Sequence, residues 1–156
     1  MKLDTCAFDM VVSQYLLKEA KGKVLLSGYL RSDMLKDTPK GHLYTYLMCT
    51  DMSPVTEDLK ESVVCIVGKI AKCGRLITQA NGNQLMTLVI RSRSDDGHTS
   101  ILHAIVRDKL ARYISSLDDL TGQPIQLEGS LQAKHASVEV VANKLKINGK
   151  EAMANA

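Results

Sequence analysis

The chain has 156 residues, of which 45% are hydrophobic and 24% charged, so it can form one folded core with room for an appended element. Its net charge of +3 permits a nucleic-acid partner without requiring one. No stretch approaches the roughly 18 consecutive apolar residues of a membrane helix, and the first residues lack the apolar run of a secretory signal. We therefore expect a cytoplasmic protein without membrane contact.

The first sixty residues are predicted to form a helix followed by a β-hairpin. Apolar residues recur at helical spacing between Phe8 and Ala20. Two runs rich in strand-forming residues follow, 23–30 and 42–50, and a polar turn at 37–41 separates them.

The polar segment 51–60 is the best internal boundary, because it contains Pro54 and interrupts the strand pattern. We therefore predict an N-terminal extension over 1–60, a domain over 61–148 and a short disordered tail over 149–156. The two hairpin-like halves, 26–47 and 66–89, share a weak pattern. Either the extension is a partial repeat or an oligomer contact, or chance explains the pattern equally well.

The second part of the chain alternates strand patterns with a single helical one. Asn81-Gly82 is a strong turn signal, and Gly68 lies where a strand that serves two sheets would bend. The predicted strands are 62–70, 84–93, 99–107, 124–133 and 137–147, with a helix at 108–117. Strand, strand, strand, helix, strand, strand is the connectivity of the OB-fold. We therefore predict a mainly β protein built on a five-stranded Greek-key barrel with a helix between its third and fourth strands.

Ser62 to Lys146 resembles the core of bacterial single-stranded DNA-binding proteins and of their relative, the primosomal replication protein N. The matching segments are 63–70, 86–88, 108–111 and 120–131, read as VVCIVGKI, MTL, DKLA and LTGQPIQLEGSL. The resemblance covers a little over half of the chain. It implies an OB barrel that cradles single-stranded DNA on the face of its first three strands and in its hairpin loops.

Alternation within the strands assigns residues to the two faces of the barrel. Met86, Leu88 and Ile90 suit the core, as do Leu102, Ala104 and Val106. The resemblance places DNA contacts on the other face, at the end of the first strand and in the last hairpin. The candidate contacts are Lys69, Lys72, Arg75, Thr87, Arg91, Arg93, Ile101, His103, Arg107, Lys134 and His135, with Tyr44 and Tyr46 from the first half.

The chain departs from the family in its aromatic content. It has no Trp, its one Phe precedes the barrel, and Tyr113 is the only aromatic residue after position 60. Base stacking on aromatic rings typically contributes about 1–3 kcal/mol per base. Arginine planes can replace part of that contribution, so we expect binding that is weaker and more salt-sensitive than in the relatives. Tyr44 and Tyr46 are as well explained by packing under the N-terminal helix as by stacking on bases.

No motif indicates catalysis, a metal or a cofactor. Asp95-Asp96 and Asp118-Asp119 lie in predicted turns, where Asp is favoured for local backbone hydrogen bonds. His98 and His103 have no cysteine or carboxylate partner at metal-binding spacing. Phosphate-binding and nucleophile-elbow motifs are missing.

Two functional hypotheses follow from the sequence. The first is a non-catalytic, homodimeric or homotetrameric single-stranded DNA-binding protein of replication, recombination or plasmid and phage DNA metabolism, with RNA as a possible ligand. The chain ends without the acidic tip that recruits partners in the family, so an accessory role fits better than that of the main single-strand coat. Replication or mobile-element proteins are further candidate partners of such a protein. The alternative is an OB-fold protein-interaction module with little nucleic-acid affinity that assembles a replication, conjugation or secretion complex.

Overall fold

A computed structural model of the chain describes residues 24–35, 42–54, 64–94, 97–134 and 137–154. The predicted helix at 8–20 and His135 lie outside these residues. The chain divides into two compact units, one of Met1–Glu61 with Ala133–Val138 and one of Ser62–Gln132 with Glu139–Ala156. The described elements are β1 (Val24–Leu35), β2 (His42–Pro54), β3 (Val64–Cys73), β4 (Ile77–Thr78), β5 (Gln84–Arg93), β6 (Thr99–Arg107), α1 (Asp108–Ser115), β7 (Pro124–Lys134), β8 (Ser137–Ile147) and β9 (Lys150–Met153).

In the first unit, β1 and β2 form the predicted antiparallel hairpin. Arg31 lies opposite Tyr46, and the register shifts by one residue between Ser27 and Gly28. Ser32 and Thr45 are buried near the middle of the hairpin. Both strands run longer than the predicted ranges, because polar residues such as Ser32 and Asp51 interrupt the apolar strand pattern there.

The second unit is a closed barrel. Its strands follow one another in the order β3, β7, β8, β6, β5, and β3 also pairs with β5 to complete the circle. β6 and β8 are parallel, whereas β5 pairs with both β3 and β6 in antiparallel fashion. α1 connects β6 to β7, which are the third and fourth strands of the barrel. The predicted OB-fold and its helix position are confirmed.

β3 closes the barrel by exchanging partners along its length. It pairs with β7 from Val64 to Lys69 and with β5 from Lys69 to Cys73. Gly68 lies at the exchange, where a Cβ would stand less than 3.0 Å from the carbonyl oxygen of Arg91 and 2.9 Å from Cγ2 of Ile90. Only glycine allows β5 to approach β3 this closely.

The core of the barrel is built from alternate residues of its strands. Met86, Leu88 and Ile90 of β5 are buried, and each faces a buried residue of β6 across the sheet. The helix adds Leu110, Ala111 and Ile114. The six core positions predicted on β5 and β6 are confirmed, and the odd-numbered residues of both strands therefore face outward.

The segment after β8 is ordered into a strand. Asn148 and Gly149 both have positive φ, 51° and 80°, which gives the two-residue type I′ turn that matches strand twist. β9 then pairs with β8, with Lys150 opposite Ile147. The disordered tail predicted for 149–156 is corrected to a short strand over Lys150–Met153, because the Asn-Gly turn returns the chain to a sheet edge.

Candidate nucleic-acid interface

One outward surface of the barrel carries most of the predicted binding residues. We call it the basic face and define it as the outward positions of β5 and β6 with the neighbouring part of β3. Five of its twelve residues are Lys or Arg, and none is Asp or Glu. Its members are Lys69, Lys72, Leu85, Thr87, Val89, Arg91, Arg93, Thr99, Ile101, His103, Ile105 and Arg107.

The strand registers place these side chains in rows. Lys69, Arg91 and Ile101 form one row across three strands, since Arg91 lies opposite both of the others. Side chains directly opposite one another in such ladders have Cβ atoms about 4.5–5.5 Å apart. The next row contains Val89 and His103.

A bulge in β3 brings a second lysine onto this face. Ile70 lies opposite Ile90, but Lys72, not Ala71, lies opposite Val89. In a regular strand, residues 69 and 72 would point to opposite sides of the sheet. The extra residue at the bulge restores Lys72 to the side of Lys69, so both ammonium groups belong to the basic face.

The cations are unevenly spread along the basic face. Lys69, Lys72, Arg91 and Arg93 lie at one end, which we call the basic end, within about 14 Å of strand length. Arg107 pairs with Leu85 at the other end, about 20 Å from the row of Arg91 along β5.

Arg75 follows Gly74 just past the end of β3. The N–H of Gly74 donates a hydrogen bond of 2.8 Å to the carbonyl oxygen of Thr87. The backbone of Arg75 is therefore level with the beginning of β5, towards the end of the basic face that carries Arg107. The exposed Arg75 thus adds a second cation at that end.

None of the twelve residues of the basic face carries a carboxylate. Within the part of the chain that the structure describes, no ion pair involves a cation of the basic end. Lys144 of β8, outside this face, pairs instead with Glu151 of β9 at 3.0 Å. With respect to residues 64–94 and 97–134, the cations of the basic end are therefore available to an anionic ligand.

Asp108 ties the beginning of α1 to the beginning of β5, a contact that sequence reasoning missed. Its Oδ1 accepts the backbone N–H of Gln84 at 2.9 Å, and Arg112 donates from Nη1 to Oε1 of Gln84 at 3.1 Å. Asp108 adopts a positive φ of 45° to do so. These two hydrogen bonds fix the end of β6 that carries Arg107. No signal in the sequence distinguishes Asp108 from an ordinary acidic residue in the first turn of a helix.

The two tyrosines of the first unit pack against each other. The rings of Tyr44 and Tyr46 are stacked, with centroids 5.3 Å apart and planes inclined by 24°. Tyr46 is only 8% exposed and its hydroxyl donates to Oδ2 of Asp33. Burial, with this hydrogen bond, raises the pKa of Tyr46 well above its ordinary value. Tyr46 therefore has little free ring surface, whereas Tyr44 is partly exposed.

The last predicted contacts lie in the hairpin of β7 and β8. Lys134 is the final residue of β7, and Ala133–Val138 group with the first compact unit.

Of the described residues, no three among His, Cys, Asp and Glu come together in a way that could hold a metal ion. No described helix is long and apolar enough to cross a membrane.

Solved structures of single-stranded DNA-binding proteins share this fold. The wild-type protein from Thermus aquaticus is 17% identical over 85% of this chain, with a TM-score of 0.67. A deletion mutant of the same protein gives 15% identity, 85% coverage of this chain and a TM-score of 0.68. This chain covers 62% and 63% of those two chains, so it spans about three fifths of their length.

A mitochondrial single-stranded DNA-binding protein from S. cerevisiae is 19% identical, with a TM-score of 0.51. That similarity covers 58% of this chain and 96% of the yeast chain. No protein-family model matches the sequence, and no curated protein matches it. At these identities the similarity establishes the fold, and the chain has the OB barrel of the single-stranded DNA-binding proteins, as its strand order and sequence resemblance predict.

Proposed function

We propose that this protein binds single-stranded DNA reversibly, without a chemical step, through the basic face of its barrel. The observation that carries the proposal is the segregation of charge: five cations and no carboxylate occupy the twelve outward positions. Phosphate neutralisation by such groups supplies most of the affinity of non-specific nucleic-acid binding. The solved proteins with this fold are described as binding single-stranded DNA.

The shape of the barrel favours a single strand over a duplex. The outer surface of a small closed barrel curves away on both sides, and a rigid duplex is itself a convex cylinder. Two convex surfaces meet over a small area, so a duplex reaches few of the cations at one time. A flexible strand follows the curvature and brings successive phosphates to Lys69, Arg91 and Arg93.

The proposed setting is DNA metabolism in the cytoplasm, as an accessory factor in replication, recombination or plasmid and phage DNA processing. The lack of Phe, Tyr and Trp on the basic face supports an accessory role. A strand held chiefly by its phosphates is released more readily than one whose bases are also stacked.

We further propose that the protein is a homodimer or homotetramer joined through β3. One edge of the N-terminal half of β3 pairs with β7. The opposite edge pairs with β5 from Lys69 onward, and no described strand pairs with that edge along Val64–Val67. There Ser92 Oγ donates to the carbonyl oxygen of Val67, whose side chain is 64% exposed. Such an apolar strand edge is a template for pairing with a second copy around a two-fold axis.

Fluorescence anisotropy tests the main proposal. Labelled poly-dT and a matched duplex are titrated with the protein at low and moderate salt. We expect micromolar or tighter binding to the single strand, steep weakening with salt and much poorer binding to the duplex. Arg91→Ala combined with Arg93→Ala should remove most of the binding.

The matched control is Lys146→Ala combined with Lys150→Ala. It removes the same net charge from exposed positions on β8 and β9, outside the basic face. Near wild-type binding by this control shows that position, rather than total charge, matters. Absence of binding by the wild type even at low salt contradicts the proposal and favours the interaction-module alternative, which pull-down experiments would then address.

A further inference from the structure

We infer that the basic face recognises the sugar–phosphate backbone of the strand and is indifferent to its bases. This inference rests on the proposed function and specifies the chemistry of the ligand. Three properties of the face carry it: the absence of Phe, Tyr and Trp, the scarcity of groups that read base edges, and the crowding of cations at one end.

Near the middle of the basic face, the outward side chains are aliphatic apart from Lys72, Thr87 and the exposed imidazole of His103. Ile101 and Val89 lie half-buried among the cations of the basic end, and the half-buried Ile105 lies between that end and Arg107. No residue of the basic face is Phe, Tyr or Trp, and Tyr113 belongs to α1. Aliphatic side chains offer a base some apolar contact but no planar surface, so the main affinity contribution of the bases is missing.

The face also has few groups that distinguish one base from another. Base edges are read by bidentate hydrogen bonds, commonly from Asn, Gln, Asp, Glu or Arg. The first four types do not occur among the twelve residues, which leaves Thr87, Thr99 and His103 as its uncharged polar side chains. A thymine is therefore nearly equivalent to any other base at this surface.

The arginines are better matched to phosphates than to bases. Arg91 lies directly opposite Lys69, and Arg93 is the next outward residue on the same strand. The guanidinium of Arg93 stands beside the β5–β6 turn, with one Nη 3.8 Å from where a Cβ of Gly97 would lie. Like charges at this spacing repel one another. A bound phosphate relieves that repulsion, whereas a stacked base leaves it in place.

The test compares two labelled single strands of equal length, one of thymidine and one in which every base is replaced by a tetrahydrofuran abasic residue. We expect the wild-type protein to bind them with dissociation constants within about threefold, since one stacked base alone would be worth about fivefold or more. The slopes of log K against log salt should also agree, at about −3 for four or five phosphates contacted.

A gain-of-function variant sharpens the comparison. Ile101→Trp places a ring next to Arg91, and we expect it to tighten thymidine binding about fivefold or more while leaving abasic binding unchanged. Thymidine binding with at least fivefold loss on the abasic strand overturns the inference and leaves the proposed function standing. Binding to neither strand overturns both.

Discussion

Replacement of Gly68 by alanine tests the closure of the barrel and the placement of the basic face together. The new Cβ would stand less than 3.0 Å from the carbonyl oxygen of Arg91 and 2.9 Å from Cγ2 of Ile90. The first neighbour is backbone, so β3 and β5 must move apart. Overpacking of this kind typically costs about 1–3 kcal/mol, and a rigid backbone neighbour favours the upper part of that range. For a domain of this size, each kcal/mol lowers Tm by about 4–8 °C.

The displacement also separates Lys69 from Arg91, so Gly68→Ala should weaken single-strand binding several-fold at temperatures where the variant is folded. Gly129→Ala is the matched control. Its Cβ would lie under 3.0 Å from the carbonyl oxygen of Val141, on β7 and β8, which carry none of the twelve residues of the basic face. We expect a comparable loss of Tm by calorimetry and unchanged binding by anisotropy. A Gly68→Ala protein as stable as the wild type, or equal loss of binding by both variants, would refute the reasoning.

Three further predictions concern other parts of the molecule. The folded protein holds the Tyr46 proton more tightly than the unfolded chain does. The free energy of unfolding should therefore fall as the pH rises above the ordinary tyrosine pKa of 10.0. Chemical denaturation at several pH values measures this fall, and Tyr46→Phe should lack the component that comes from Tyr46. Asn148→Val should destabilise the β8–β9 hairpin by about 1–3 kcal/mol, because a β-branched residue resists the φ of 51°; hydrogen exchange confined to β9 would report it, and unchanged protection there would contradict it. Val67→Lys should shift sedimentation velocity towards the monomer if β3 joins the copies, and an unchanged profile would remove β3 from the interface.

The fold of the second unit could be predicted from local sequence, because the alternation of apolar and polar residues marks each barrel strand and turn residues mark where it ends. The alternation in β5 and β6 fixes which residues are buried, and Gly68 marks the bend. The sequence analysis missed β9, although Asn148-Gly149 is the strongest short-range signal for a hairpin turn. The small residues that follow this turn lack a strand pattern. β4, two residues long, is too short to carry a period.

The candidate site was predicted less completely, since its residues gather through pairing. Outward placement of Arg91, Arg93 and Arg107 follows from alternation within a strand. Their separation into a basic end and a distant Arg107 depends on the register between β5 and β6. Base stacking by Tyr44 and Tyr46 stays a prediction, although the burial of Tyr46 and its bond to Asp33 favour a packing role for that ring.

The sequence by itself determines the order of the barrel strands, the residues of the core and the chemical character of the basic face, because hydrophobic period and residue type are local properties of the chain. The tertiary structure alone decides which cations become neighbours. Lys69 and Lys72 share a face only because pairing with β5 accommodates a bulge at Ala71. Lys69 meets Arg91 only because β3 leaves β7 for β5 at that residue. Bulges and exchanges of partner arise from contacts between strands, which no single strand encodes.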